Sequence, residues 1–163
     1  MKYVNFCLGA IFSLVLTAGS VSNNTPSTGY YPGELIPDIT ITDLSGDVHR
    51  LHDFKGKKVV VNFWATYDAL SRANNVQLHN YLRKHHADIS FLSVAFDENK
   101  HVAERTFVLD NLDTTSQFCE VKGTNSDIFH DFKLNRGFSN YLIDENGVIK
   151  AMNVTPEDLE IIL

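Results

Sequence analysis

The chain has 163 residues, 44% of them hydrophobic, with 14 Lys+Arg against 20 Asp+Glu and a formal net charge of −6. An acidic chain is poorly suited to phosphate-rich surfaces, which argues against nucleic acid or anionic lipid as partners. Its longest uncharged apolar run, Phe6 to Ala18, falls short of the roughly 20 residues needed to span a bilayer, which argues against an integral membrane protein.

That run follows the short positive stretch Met1-Lys2 and precedes the small residues Ala18, Gly19, Ser20 and Ser22, the layout of a cleavable export signal over residues 1–22. Cleavage leaves about 141 residues, the length of one ordinary domain, with no membrane span. Removing Lys2 leaves 13 basic against 20 acidic residues, a net charge of −7. Cys7 departs with the signal, so the exported chain carries Cys119 alone and forms no internal disulfide in a compartment where thiols oxidise.

Residues 23–37 are mostly Ser, Asn, Thr, Gly, Tyr and Pro with no hydrophobic period, the composition of a flexible tether. The domain is expected over 38–163. Ile39 to Thr42 alternates at period two, then Ser45-Gly46-Asp47 leads into Val48 to Leu51, a small antiparallel hairpin. Gly56-Lys57-Lys58 introduces Val59-Val60-Val61-Asn62-Phe63-Trp64-Ala65, a run suited to a strand buried on both faces. Asp68 to His86 contains no Gly or Pro and predicts a long helix, whose apolar residues drift between Ala69/Ala73/Val76 and Leu78/Tyr81/Leu82, as for a helix packed on more than one side. A second buried strand is expected over Asp88 to Phe96, a helix over His101 to Leu112, a short strand over Gln117 to Cys119 and a helical turn over Ser126 to Phe132. Tyr141 to Asp144, Glu145-Asn146-Gly147 and Val148 to Ala151 form a hairpin with an Asn-Gly turn, and Pro156 opens a last helix. The element order predicts an α/β domain with a mixed central sheet flanked by helices on both faces.

This layout, with the string Gly56-Lys57-Lys58-Val59-Val60-Val61-Asn62-Phe63-Trp64-Ala65-Thr66 and the later Gly137-Phe138-Ser139-Asn140-Tyr141-Leu142-Ile143-Asp144-Glu145-Asn146-Gly147-Val148-Ile149, resembles exported thioredoxin-like proteins of the TlpA/ResA kind within the AhpC/TSA and redoxin grouping. The resemblance implies a thioredoxin-like fold with an N-terminal β-hairpin extension, and a periplasmic or secreted location. In that family the Phe-Trp-Ala-Thr stem leads into W-C-x-x-C-R. Here Tyr67 matches the tryptophan, Asp68 and Ser71 stand at the two cysteine positions with Ala69 and Leu70 between them, and Arg72 closes the motif.

Disulfide exchange needs a thiolate to attack and a second thiol to resolve the mixed disulfide, and neither a carboxylate nor a hydroxyl can replace them. A peroxiredoxin or glutathione-peroxidase mechanism also needs a reactive cysteine near this helix start, and Trp64 to Val76 contains none. Phe138 falls at the family's cis-proline, and a non-proline cis bond costs about 2.5–4 kcal/mol, so a trans peptide and an altered loop are expected.

Two readings of the replaced site remain open. Asp68 is a good helix N-cap, worth about 1 kcal/mol over Ala. Alternatively Trp64, Tyr67, Asp68, Arg72, Phe138 and Ser139 form a rebuilt surface for a protein or peptide partner. Cys119, beside Glu120, reads either as a small buried hydrophobe with a raised pKa or as a lone reactive thiol. His49, His52 and the helix-ending His85-His86 show no spacing of metal ligands, so no metal and no cofactor is assigned. The combined expectation is a binding or accessory protein with a thioredoxin-like fold, or else a redox enzyme working through Cys119.

Overall fold

The computed structural model describes residues 25–86 and 88–163. The export signal, Cys7 and the first two residues of the expected tether lie outside the described residues. A two-stranded antiparallel hairpin, β1 (Thr40–Thr42) and β2 (Val48–Arg50), precedes the main sheet. Its turn is held by the Asp43 carboxylate, which accepts from the Ser45 and Asp47 amides at 2.8 and 2.9 Å.

The main sheet contains β3 (Val59–Trp64), β4 (Ser90–Ala95), β5 (Gln117–Cys119), β6 (Asn140–Ile143) and β7 (Ile149–Met152) in the order β5-β4-β3-β6-β7. Pairing is parallel for β3 with β4 and β4 with β5, and antiparallel for β3 with β6 and β6 with β7, giving the expected mixed sheet. The helices are α1 (Ala69–His85), α2 (Lys100–Leu109), α3 (Asp127–Asp131) and α4 (Pro156–Ile162). All six residues of β3 are buried, as the apolar run requires of a central strand.

Strand alternation divides the core. Val59, Val61 and Phe63 face Ile41, Leu51 and the α3 residues Ile128 and Phe129, while Val60 faces Leu78 and Leu82 of α1 and Leu159 of α4. Trp64, on the Val60 side, packs with Ala103 and Phe107 of α2.

Three expectations are corrected. Residues 25–37 are not a free tether along their length. Leu35 bridges to Thr28 and Val148, the Gly33 and Ile36 amides donate to Ile149 and Gly147, Glu34 accepts from the Ile149 amide, and Ile36 is fully buried. Backbone pairing with Gly147 to Ile149, at the start of β7, satisfies several of this segment's polar groups, which composition does not reveal. Second, α1 does pack on more than one side, Leu78, Tyr81 and Leu82 towards α4 and Val76 towards Trp64 and Phe107, but Ala69 and Ala73 are exposed and the fully buried stripe is Ser71, Asn75, Leu78, His79 and Leu82. Three of these are polar, and so the apolar pattern drifted. Third, α2 ends at Leu109 rather than Leu112, and Asn111 just beyond it adopts left-handed φ of +53°.

Candidate functional site

The carboxyl end of β3 runs into Ala65, Thr66, Tyr67 and Asp68, and α1 begins at Ala69. Thr66 is anchored by Asp97, which follows β4: the Thr66 amide and hydroxyl donate to its carboxylate at 3.1 and 2.5 Å. Asp68 has extended backbone, and its carboxylate accepts from the Ser71 amide at 2.8 Å, satisfying one of the orphan donors of the helix start. The buried Ser71 hydroxyl donates to the Asp68 carbonyl at 3.2 Å and accepts from the Ala65 amide at 3.3 Å. Asp68 and Ser71 are thus both engaged in closing the first turn, and Ser71 is turned inward.

The proposed surface is only partly brought together. Trp64 is fully buried and its indole N–H donates to the Ser93 hydroxyl at 2.8 Å, so it is removed from any binding surface. Arg72 is drawn to the end of α2, where it donates to both oxygens of Asp110 at 2.7 and 2.6 Å, a bidentate pair that engages its charge within the chain. What remains outward is Tyr67, 64% exposed, and Leu70, 74% exposed, beside half-buried Asp68, Phe138 and Ser139. Ala69 lies on the same exposed turn.

Phe138 joins this surface to the core. Its ring lies 6.4 Å from Tyr67 on the outside and 6.0 and 6.1 Å from Phe96 and Phe129 beneath. Among the described residues every peptide bond is trans, including that before Phe138, and the Phe63 amide donates to the Ser139 carbonyl at 3.0 Å. The Tyr67 phenol is pushed up by partial burial and by the charges of Asp97, Asp68 and Glu98, so it stays protonated at neutral pH.

Under the motif lies a buried polar chain. Asn62 and Ser93 each donate to the Asn75 carbonyl oxygen at 2.9 Å, and Ser93 accepts from Trp64. This chain fastens α1 to β3 and β4. Neither Asp97 nor Asn75 was singled out in the sequence, although Asp97 closes the apolar run of β4 at its carboxyl end, where α/β folds gather functional groups.

Cys119 ends β5 at the sheet edge and is 5% exposed, packed with Trp64, Ala95 and Phe107. Its thiol points to the Asp97 carbonyl at 3.7 Å. Burial, and after it the Asp97 charge, pushes this thiol up to about 11, with adjacent Glu120 contributing little. His49 contacts Asp43 at 3.0 Å, His52 contacts the Ile36 carbonyl at 2.8 Å, and His85 and His86 lie against Tyr81. Among the described residues no three His, Cys, Asp or Glu side chains converge as metal ligands.

The profile of the Redoxin family matches residues 31–161. Thioredoxin-like protein YneN of Bacillus subtilis is 33% identical over 130 residues, covering 77% of this chain and 73% of that protein. Thiol-disulfide oxidoreductase ResA of Geobacillus kaustophilus is 29% identical over 140 residues, covering 83% of this chain and 78% of its own. A thioredoxin-like protein from Parabacteroides distasonis superposes with a TM-score of 0.72 at 40% identity over 85% of this chain and 98% of its own. The thioredoxin domain of a Bacteroides vulgatus thiol-disulfide oxidoreductase gives 0.70 at 25% identity over 79% and 92%. By sequence along most of its length and by the architecture that carries the motif, the chain belongs to the Redoxin family, among its thioredoxin-like, ResA-related members.

Proposed function

We propose that this chain is an exported thioredoxin-like domain that keeps the scaffold of the thiol-disulfide oxidoreductases without their dithiol chemistry, and that it acts by binding a protein or peptide partner in the cell envelope or outside it. The observation that carries this reading is the Asp68 carboxylate capping α1 through the Ser71 amide, at the place where the family holds its attacking thiolate. A carboxylate there uses the same helix-terminal N–H groups and dipole, but it supplies no sulfur to form a mixed disulfide and no second thiol to resolve one. The binding face is the exposed aromatic and apolar strip of Tyr67, Leu70 and Phe138, bordered by Asp68 and Ser139. The alternative, a redox enzyme acting through Cys119, requires a reactive thiol, and burial opposes it.

The test is turnover of a small disulfide and of hydrogen peroxide by the parent protein and by Cys119→Ala side by side. Both are expected to be inactive above buffer. Turnover by the parent that disappears in Cys119→Ala overturns the proposal in favour of the one-thiol enzyme. The binding face is checked by partner capture from envelope extract, which Tyr67→Ala should abolish.

A further inference from the structure

We propose that the cleft between the Tyr30-Tyr31 segment and the loop from Lys133 to Ser139 binds a small aromatic carboxylate. The inference goes beyond the partner-binding reading and does not depend on it, although Phe138 forms a wall common to both places.

The cleft encloses about 430 Å³, within the roughly 300–1,000 Å³ of small-ligand sites. Its floor is aromatic and already assembled. Phe132 and Tyr141 are buried with ring centroids 5.4 Å apart, and Tyr30 meets Phe132 edge-on at 4.9 Å. Half-buried Met152 adds a polarizable apolar side. A flat ring entering here finds both faces and edges to pack against.

The rim supplies the charge. Lys133 and Arg136 both line the cleft, and neither takes part in an ion pair among the described residues, whereas Arg50, Arg72 and Lys100 each do. Asp131 is the one carboxylate of the lining, so a positive charge is left over in a chain whose formal net charge is −6. The loop that carries the two cations is fixed at both ends by left-handed backbone, φ +55° at Lys133 and +129° at Gly137. Lys133 takes the left-handed position that ends α3, directly after the Phe132 cap, which fixes where its side chain leaves the backbone. The planar Arg136 guanidinium matches a carboxylate as a two-pronged acceptor and stacks on aromatic faces, a combination that favours an aromatic acid over a phosphate or a neutral ring.

The test is titration of the isotope-labelled protein with benzoate, 3-phenylpropionate and indole-3-acetate, each beside its neutral alcohol, read from backbone amide shifts. At least one acid is expected to bind with a dissociation constant below about 1 mM, moving the amides of Tyr31, Gly137 and Asn153, and its alcohol to bind about tenfold more weakly or worse. Arg136→Gln, and independently Lys133→Asn, which keeps a residue tolerant of left-handed backbone, should weaken the acid about tenfold and leave the alcohol unchanged. Arg105→Gln, exposed on α2 outside the cleft, should change nothing. Absence of saturable shifts with all three acids at about 5 mM, equal binding of acids and alcohols, or shifts confined to other surfaces would overturn the proposal.

Discussion

Raising Cys119 from 9.0 to about 11 has two consequences that can be measured on the same sample. Well below pH 9 the folded thiol contains about one-hundredth of the thiolate of an unperturbed cysteine, because each pKa unit is a factor of ten. A more basic thiolate is also more nucleophilic, which offsets part of this, so from ionisation alone its reaction with Ellman's reagent near neutral pH should be about tenfold slower in the native protein than in protein unfolded by guanidinium. Its 5% exposure slows attack further by requiring an opening motion. The same shift enters stability. The fold favours the neutral thiol, so this contribution is fully present below pH 9 and is lost as pH rises through 9 towards 11, a loss on the order of a few kcal/mol. Urea midpoints of the parent should fall more steeply over that window than those of Cys119→Ala, which lacks the group, with the tyrosines and lysines cancelling in the difference. A native labelling rate within tenfold of the unfolded rate, together with parallel midpoints for the two proteins, would refute the assignment of Cys119 as an inert core residue.

The cap gives a second expectation. Asp68→Ala should cost about 1 kcal/mol, or roughly 3 °C in Tm for a domain of this length, and Asp68→Asn only a few tenths, by calorimetry. Trp64→Phe leaves the Ser93 and Asn75 polar chain short of a donor and creates a void beside α2, an expected loss of about 2–3 kcal/mol by urea unfolding. Arg72→Gln breaks a pair whose arginine side chain is 35% exposed, so a loss near 1 kcal/mol is expected, reduced by salt in the parent but not in the variant. His79 is held neutral by burial, its pKa below the ordinary value, and this stability is present above about pH 6.5 and lost as pH falls. His79→Gln should accordingly show a smaller drop in urea midpoint between about pH 7.5 and 5 than the parent.

The strands and helices were legible because their signals are local. The apolar run of β3, the Asn146-Gly147 turn and Pro156 after capping Thr155 each act over a few residues. The fate of single side chains was not. Arg72 meets Asp110 38 residues away, Thr66 meets Asp97 31 residues away, and Trp64 meets Ser93 29 residues away. No periodicity encodes such pairs. The burial of Ile36 likewise depends on the edge of β7, which exists only once the sheet has formed. At the start of α1, the cap at Asp68 was readable from its residue type, and the structure adds that Ser71 is turned inward.

The Asn62-Asn75-Ser93-Trp64 chain lies beneath the turn that carries Tyr67, Ala69 and Leu70. Sliding α1 along the sheet, or rolling it about its axis, would strand several hydrogen-bonding groups in an apolar interior at once, so the helix has one seat and not a range of them. That seat depends on nothing at Tyr67, Ala69 or Leu70. The exposed turn behaves as a replaceable tip on a fixed mount: its residues can be exchanged with little stability at risk, and new recognition can be tried there while the scaffold beneath keeps its shape.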